Sequence, residues 1–301
     1  MEPKIAILLV AYNAHHDTVE CIESLKKITY KNVEIILVDN ASPEKPTAEQ
    51  DAYFRENTTY IQSKVNTGFA GGNNLAANVA REKFNPEYLL LLNNDTVVNP
   101  NFLEPLVEVF QKNERVGVAT GKICYYSEMD KIWFAGGVYD SKHGKVSHLK
   151  CNQADDGLKE EKTISFVTGC LMLIPSDIWF KTGGLDEDFF MYAEDLEICC
   201  KINQMGYKLC YTSESIIYHK VGTSVGRNSP MQQYYNLRNN LQVIKQYGKG
   251  LNGAYLFKLK TCARDIVRGR ASAKAAYYAW RDFLENKYRL PQEILPLIGK
   301  S

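Results

Sequence analysis

The sequence lacks the runs and pairings that mark several classes of protein. Among its 301 residues, no apolar stretch approaches the roughly 18 residues that a transmembrane helix requires. The 8 cysteines form no CxxC pair, and several lie in apolar, strand-like runs. Free thiols in a reducing compartment explain them better than a disulfide framework. The residues after Met1 do not resemble a secretory signal, so we expect a cytoplasmic protein.

The sequence also lacks a net charge of one sign. Lys and Arg number 36 against 35 Asp and Glu, a formal net charge of +1, so no overall field favours nucleic acid. The balance is uneven, because residues 231–301 contain 13 Lys or Arg and 4 Asp or Glu. Such a segment suits an anionic surface or an anionic substrate, although a solvated helical face has the same composition.

Two nucleotide-binding motifs are absent. The glycine-rich loop at 68–72, GFAGG, does not match GxGxxG, and no GK[ST] ends it. This disfavours a dinucleotide-dependent dehydrogenase and a P-loop NTPase. The loop still allows close approach of the backbone and opens a predicted helix, which suits a phosphate group or the edge of a sugar.

The chain does contain a regular alternation of strands and helices in its first 95 residues. Buried strands are predicted at 5–12, 33–38, 58–62 and 88–92, separated by helices at 15–28, 46–57 and 68–83. This alternation predicts a Rossmann-like α/β fold with a mostly parallel central sheet flanked by helices. The later strands include one long strand at 164–174 and two short ones at 209–211 and 215–219, and the segment after residue 230 is predicted to be mainly helical.

Three acidic residues lie where predicted strands end or where a helix begins. Asp39 follows the second strand, Asp95 follows the fourth, and Asp195 opens a helix. Open α/β sheets bind ligands at the carboxyl ends of their strands, and hard divalent cations take oxygen ligands. Each acid also has a simpler explanation, which is a turn for Asp39 and Asp95 and a helix cap for Asp195.

Five motifs follow one another in a characteristic order. They are VDNAS at 38–42, NTGFAGGN at 66–73, LNND at 92–95, YAED at 192–195 and HKVGTS at 219–224. Together they resemble glycosyltransferase family 2, in particular its bacterial rhamnosyltransferase-like members, over about residues 5–240. The resemblance implies the GT-A fold, a nucleotide-diphosphate sugar donor, Mg²⁺ or Mn²⁺, and inversion at the anomeric carbon. It implies a glycosyltransferase domain at 1–230, with a nucleotide-sugar half at 1–98 and an acceptor half at 99–230, before the basic helical segment 231–301.

The resemblance also implies roles for individual residues. Asp195 matches the catalytic base. Asp95 is the one carboxylate at the position of the DXD motif, and His219 matches a histidine that completes the metal site in some members. The expected donor-site residues are Ala11, Tyr12, Asp39, Asn66, Gly71, Gly72, Asn73, Asn93, Asn94, Arg227 and Arg238. The expected acceptor-side residues are Trp133, Gly169 and Glu194.

These roles describe a single displacement. A carboxylate such as Asp195 can take the proton of the acceptor hydroxyl, and a bound cation can offset the charge of the leaving diphosphate. We expect transfer of rhamnose or another hexose from a UDP- or dTDP-sugar to a glycan or lipid-linked acceptor in bacterial surface polysaccharide synthesis. Two alternatives are open at this point: a non-catalytic nucleotide-sugar-binding protein and a nucleotidyltransferase.

The basic C-terminal segment suggests a further partner. It mixes aromatic and cationic residues in the way that interfacial helices prefer. We therefore expect peripheral contact with the inner face of a membrane. Packing of the aromatic residues on the catalytic domain, or a homodimer interface, would also explain them. The residues concerned are Tyr277, Tyr278, Trp280 and Phe283, among Lys274, Arg281, Lys287 and Arg289.

Overall fold

One large mixed sheet organises the chain. The computed structural model describes residues 2–221 and 229–298. The strands are β1 (Ile5–Ala11), β2 (Val33–Asp39), β3 (Thr59–Gln62), β4 (Tyr88–Leu92), β5 (Thr96–Val98), β6 (Val116–Tyr125), β7 (Glu128–Phe134), β8 (Gly137–Asp140), β9 (Lys145–His148), β10 (Glu161–Ile164), β11 (Leu171–Pro175) and β12 (Lys208–His219). The helices are α1 (His15–Leu25), α2 (Ala48–Asn57), α3 (Gly68–Phe84), α4 (Leu103–Lys112), α5 (Ser176–Thr182), α6 (Glu194–Gln204), α7 (Pro230–Tyr247), α8 (Leu251–Val267), α9 (Ala273–Leu284) and α10 (Pro291–Ile298).

The N-terminal half of the sheet is parallel. β1 lies between β2 and β4, and β3 pairs with the outer side of β2. Residues 5–9 of β1 and 89–91 of β4 have no exposed surface. Continuous apolar runs are typical of strands that are covered on both faces, which is why these two strands could be predicted from the sequence. The doubly wound arrangement predicted for this half is present.

The C-terminal half continues the same sheet with mixed strand directions. β11 runs antiparallel to β4, and β6, β12 and β10 follow in that order. Because β11 is antiparallel, its first residue, Leu171, pairs with Leu92 at the end of β4. The last residue of β12, His219, pairs with Thr96 of β5. Segments that are far apart in the sequence therefore meet at one edge of the sheet.

Two strand predictions in this half were wrong. The long strand expected at 164–174 is two strands, β10 and β11, which lie at different positions in the sheet. The two short strands expected after residue 208 are one strand, β12, whose pairing with β6 is irregular between Tyr211 and Ile216. Polar residues such as Ser213 and Ser215 lie in this irregular stretch, and the strand continues through them.

The C-terminal segment is helical, as predicted. α7 and α9 pack together around a second apolar cluster that contains Phe190, Tyr234, Tyr235, Ala275, Ala279, Ile294 and Ile298. α8 is loosely attached, because Ala254 is its one fully buried residue. No helix in the described ranges combines the length and the apolar character that crossing a bilayer requires.

Candidate active site

The site lies where the carboxyl ends of β1, β2 and β4 meet the start of β11 and the end of β12. Ala11 ends β1 and Tyr12 follows it, and the carbonyl of Ala11 accepts a hydrogen bond of 2.8 Å from the backbone N–H of Asn40. Tyr12 is exposed at this edge. Ligands of open α/β sheets bind at the carboxyl ends of the strands, so the predicted donor residues lie at the expected edge.

A network of polar side chains joins the end of β2 to the start of α3. The carboxylate of Asp39 accepts a hydrogen bond of 2.9 Å from the N–H of Ser42, so its turn role is present. Asn40 was not among the predicted site residues. Its Nδ2 donates to Oδ1 of Asn66 at 3.1 Å and to the carbonyl of Gly68 at 2.8 Å. These bonds hold the glycine-rich segment against β2.

The predicted donor residues Gly71, Gly72 and Asn73 lie in the first turns of α3. A Cβ atom on Gly72 would lie 2.7 Å from Cγ1 of Val10, and Gly71 is similarly crowded. The amide of Asn73 donates to the carbonyl of Phe69 at 2.9 Å, within the same helix. Their small size and internal bonding let α3 pack closely on β1, and their contact with a donor stays a prediction.

Asp95 and His219 form the candidate metal group. Oδ1 of Asp95 lies 3.1 Å from Nε2 of His219, and both side chains are buried. The amide of Asn93 lies 3.4 Å from the same Nε2 and can present either Nδ2 or Oδ1 there. Asn94 instead donates to Oγ1 of Thr18 at 2.8 Å, so it anchors α1.

These donors fit a divalent cation that is completed by other ligands. Two ligands with bonds of about 2.1 Å at right angles lie about 3 Å apart, which matches the separation of Asp95 and His219. The described part of the chain holds no cluster of three or more His, Cys, Asp or Glu side chains that could bind a metal. Mg²⁺ sites often use one or two carboxylates together with substrate phosphates and water, so a diphosphate can supply the remaining ligands.

The charge state of His219 is set by its neighbours. Burial alone would lower the pKa of this imidazole, but the sulfur of Cys170 and the carboxylate of Asp95 outweigh burial and raise it. Burial also raises the pKa of the Cys170 thiol. A cation bound by His219 would have to displace its proton, so cation affinity should rise with pH.

Asp195, the candidate base, is half-buried at the start of α6. Its Oδ2 accepts a hydrogen bond of 3.1 Å from the N–H of Gly169, and its Oδ1 accepts one of 2.8 Å from the N–H of Leu196. Burial raises the pKa of Asp195 to about 6 despite these bonds. Burial and the charge of Asp195 raise the pKa of Glu194 to about 8. Asp195 is therefore ionised at neutral pH, while Glu194 is protonated.

Gly169 connects the candidate base with the candidate metal group. A Cβ atom here would lie 2.9 Å from Cε1 of Phe69 and 3.6 Å from Cβ of Asp195. The carbonyl of the next residue, Cys170, accepts a hydrogen bond of 3.1 Å from the N–H of Asn93. The segment before β11 thus contacts both groups, and its glycine leaves room for the ring of Phe69.

The loop before α6 has an unusual backbone. Phe190, Tyr192 and Ala193 have φ angles of 60°, 67° and 68°, in the left-handed region that non-glycine residues rarely adopt. The carbonyl of Phe190 accepts a hydrogen bond of 2.8 Å from the N–H of Phe69. Strain of this kind persists only where the surroundings enforce it, and it clusters at functional sites.

Three other predicted residues have different outcomes. The ring of Trp133 packs edge-on against that of His219, with the centroids 4.8 Å apart, so it borders the candidate metal group. Arg238 is buried, and its Nη2 donates to the carbonyl of Asp188 at 2.8 Å. This position does not support the predicted contact with a diphosphate. Arg227 lies outside the described residues.

Comparison with known proteins identifies relatives of this chain. A family model described as Glycosyl transferase family 2 matches residues 6–179. Glycosyltransferase GlyG of Streptococcus pneumoniae is 31% identical over 132 residues, which are 43% of this chain and 42% of GlyG. Rhamnosyltransferase WbbL of Escherichia coli is 21% identical over 219 residues, which are 68% of this chain and 79% of WbbL.

A solved structure shares the fold. The crystal structure of GalNAc-T7 with UDP, GalNAc and Mn²⁺ superposes with a TM-score of 0.68 at 16% identity, over 99% of this chain and 58% of that one. This likeness confirms the predicted GT-A fold. The chain spans less than two thirds of the length of GlyG and of GalNAc-T7. The family match ends at residue 179, before Asp195 and His219, so their roles rest on geometry.

Proposed function

The chain belongs to glycosyl transferase family 2 and is a glycosyltransferase, and from this premise we propose that its reaction inverts the configuration at the anomeric carbon, with Asp195 as the general base. The donor we propose is a UDP- or dTDP-sugar that carries rhamnose or another hexose. The acceptor is a glycan or a lipid-linked glycan in bacterial surface polysaccharide synthesis. Similarity to a protein named as a rhamnosyltransferase supports this choice of sugar.

The observation that carries the proposal is the environment of Asp195. Its pKa of about 6 makes it a stronger base than an ordinary aspartate, yet it stays ionised at neutral pH. The N–H groups of Gly169 and Leu196 orient the carboxylate, which takes the proton of the acceptor hydroxyl. A positioned base of this kind contributes about 10²- to 10⁴-fold to the rate. Glu194, protonated beside it, is available to donate a hydrogen bond to the acceptor.

Stabilisation of the leaving group is assigned to the candidate metal group, Asp95 and His219. Asp95 and His219 would hold Mg²⁺ or Mn²⁺, which supplies positive charge to the departing nucleoside diphosphate. An imidazole ligand suits Mn²⁺ better than Mg²⁺. Asn93 hydrogen-bonds a hydroxyl of the donor sugar. Asp39 binds the pyrimidine in a pocket that Ala11 and Tyr12 line.

A donor screen tests this function and separates it from its alternatives. Purified protein is incubated with Mn²⁺ and each nucleotide sugar, with and without membrane extract as a source of acceptor. We expect acceptor-dependent release of a nucleoside diphosphate. Release of pyrophosphate would indicate a nucleotidyltransferase, and calorimetric binding of the donor without any release would indicate a binding protein.

We further propose that the protein touches the inner face of a membrane through α8 rather than through the aromatic residues of α9. Of the four aromatic residues of α9, Tyr277 is 62% exposed, Tyr278 and Trp280 are partly buried, and Phe283 is 8% exposed, so they form no continuous exposed stripe. In α8, Leu256, Leu259 and Val267 are 51%, 53% and 87% exposed and lie on one face of the helix. The basic residues Lys260 and Arg264 lie along the same helix, and Arg268 follows its last residue. An exposed apolar stripe beside cationic residues is the pattern of an interfacial helix on anionic lipid.

Vesicle co-sedimentation tests this surface. We expect binding to vesicles that contain phosphatidylglycerol and weaker binding to neutral vesicles, with loss of both when Leu256 and Leu259 are replaced by serine. A matched pair, Leu158→Ser and Val65→Ser, removes exposed apolar residues elsewhere and should have no effect. Lipid-independent dimerisation that the α8 substitutions abolish would instead identify α8 as a homodimer interface.

A further inference from the structure

Asn239 of α7 binds the strained loop that precedes the candidate base. Its Nδ2 lies 2.9 Å from the carbonyl oxygen of Phe189, 2.8 Å from that of Met191 and 2.6 Å from that of Tyr192. Asn239 itself has no exposed surface. The two N–H bonds of this amide are therefore shared among three carbonyls of a loop in which Phe190, Tyr192 and Ala193 are left-handed.

These contacts matter because the loop has an energetic reason to relax. A non-glycine residue in the left-handed region is strained by its Cβ atom, so three of them in one loop need external restraint. Arg238, the preceding residue of α7, donates to the carbonyl of Asp188 and so holds the same loop at a second point. On the other side, the N–H of Phe69 in α3 binds the carbonyl of Phe190. The loop is thus clamped between α3 and α7.

The position of the loop determines the position of Asp195. Ala193 is the residue from which α6 starts, and Asp195 follows two positions later. We propose that Asn239 is a positioning residue that keeps Asp195 in register with the N–H of Gly169. The inference rests on the proposed role of Asp195 and goes beyond the family match, which ends at residue 179. It also makes α7 part of the active-site architecture.

The test compares two changes on the same helix that each replace an amide by an apolar side chain. Asn239→Leu removes the amide from the loop. Gln242→Leu is the matched control, because Gln242 is also a buried amide of α7 but donates to the hydroxyl of Tyr288 at 3.1 Å. For Asn239→Leu we expect kcat to fall about 100-fold, within the range that one positioned base contributes, while the affinity for the nucleoside diphosphate stays within about threefold. For Gln242→Leu we expect an unchanged kcat, together with a loss of thermal stability similar to that of Asn239→Leu.

Two readouts do not depend on overall stability. The hydrogen bond from Gly169 lowers the pKa of Asp195, so its loss should move the acid limb of kcat/KM to higher pH in Asn239→Leu and not in Gln242→Leu. Hydrogen exchange of the peptide that spans 188–195 should accelerate in Asn239→Leu only. This second readout requires no enzymatic activity, so it stands even if wild-type protein fails the donor screen.

A rescue variant keeps the proposal testable if Asn239→Leu folds poorly. Glycine adopts left-handed angles without penalty, so Ala193→Gly in the Asn239→Leu background should restore folding and part of kcat. The proposal is overturned if Asn239→Leu keeps the wild-type kcat, acid limb and exchange rate. It is equally overturned if Gln242→Leu loses as much kcat as Asn239→Leu, or if Ala193→Gly gives no recovery.

A second, independent observation concerns a cleft of about 600 Å³ between α7, α8 and α9. Amides and hydroxyls line it, from Asn236, Asn240, Thr261 and Ser272, together with the cationic Lys258 and Arg270. The acid that borders it, Asp265, already pairs with Arg264 at 3.1 Å. A cavity of this size matches small-molecule sites, and its lining combines positive charge with groups that hydrogen-bond hydroxyls.

Lys258 is the group that most needs a ligand. Its Nζ reaches Oδ1 of Asn240 at 3.5 Å, and no carboxylate of the described residues lies within ion-pair distance. Burial lowers the pKa of Lys258 to about 8. Partial burial of an ammonium group without an anion is unfavourable, so a bound anion would offset this cost. We propose that the cleft binds a phosphorylated carbohydrate, with the phosphate at Lys258 and the sugar hydroxyls at the amides.

Lysine footprinting tests the cleft without any assay of transfer. Acetylation of Lys258 at pH 8 is followed by mass spectrometry, with Lys260 of the same helix as the internal control. Millimolar galactose 1-phosphate should slow acetylation of Lys258 at least about threefold, which corresponds to mostly filled sites by mass action, and free galactose should not. Protection by a water-soluble prenyl phosphate alone would assign the phosphate to a lipid-linked ligand. Equal protection of Lys260, or none at Lys258 with either phosphate, overturns the proposal.

Discussion

The raised pKa of Asp195 leads to a quantitative expectation for the pH dependence of transfer. The base works only when ionised, so kcat/KM should follow the ionised fraction of Asp195 on the acid side. An aspartate in this site has a pKa of about 6 because it is buried, compared with an ordinary value of 3.8. The sign is fixed by this shift: activity is lost as the pH falls through 6, not through 4.

The size of the effect follows from the pKa. With a pKa of about 6, the ionised fraction is about ten elevenths at pH 7 and about one eleventh at pH 5, so kcat/KM should fall about tenfold. With an ordinary pKa it would change by less than about a tenth over the same interval. Glu194 stays mostly protonated from pH 5 to pH 7, because burial and Asp195 raise its pKa to about 8. In Glu194→Gln, the midpoint of the fall in kcat/KM at acid pH should therefore stay within about half a pH unit of the wild-type value.

The assay is acceptor-dependent release of nucleoside diphosphate between pH 5 and 8 at limiting donor. Binding of the nucleoside diphosphate is measured by calorimetry at each pH, so that loss of donor affinity is not mistaken for loss of the base. A flat profile down to pH 5, at constant donor affinity, would refute the assignment of a raised pKa to the base. A limb near pH 6 that disappears in Glu194→Gln would assign the base to Glu194 instead.

Three further predictions address stability and metal binding. Burial raises the pKa of Asp195 from 3.8 to about 6, so its ionisation costs stability progressively as the pH rises from about 4 to about 6, and the full cost remains above pH 6. Asp195→Asn should therefore raise the free energy of unfolding at pH 8 by up to about 3 kcal/mol in urea titrations; a loss of stability would contradict this reasoning. His219→Ala should weaken Mn²⁺ binding in the presence of UDP and remove its increase with pH, as measured by calorimetry, and unchanged Mn²⁺ affinity would exclude His219 as a ligand. Gly72→Ala should destabilise the fold by about 1–3 kcal/mol because its Cβ would meet Val10, whereas Gly253→Ala, which meets no atom within 4 Å, should not lower the thermal midpoint.

Much of the N-terminal half could be predicted from the sequence because its signals are local. The apolar runs of β1 and β4 are long enough to indicate strands buried on both faces. Parallel strands place their carboxyl ends at one edge, so the residues that follow them, such as Asp39 and Asp95, could be expected near one another. The same reasoning does not extend to the mixed strands of the C-terminal half. There, the run predicted as one strand at 164–174 belongs to two strands, β10 and β11.

The pairings that complete the site could not be predicted from local patterns. His219 meets Asp95 because β12 pairs with β5, a three-residue strand with no clear signal of its own. The difference in pKa between Glu194 and Asp195 depends on which carboxylate receives the N–H groups of Gly169 and Leu196. Asn239 carries no motif in the sequence, and its role becomes visible only once α7 is placed against the loop.

The most direct test of the proposed mechanism is acceptor-dependent transfer by Asp195→Asn, measured beside wild-type protein at pH 7.5 with saturating donor and Mn²⁺. Asparagine keeps the shape of the side chain but cannot take a proton, so we expect kcat to fall about 10²- to 10⁴-fold while the affinity for the nucleoside diphosphate is unchanged. A purified Asp195→Asn protein that transfers sugar at the wild-type rate would contradict the assignment of Asp195 as the general base.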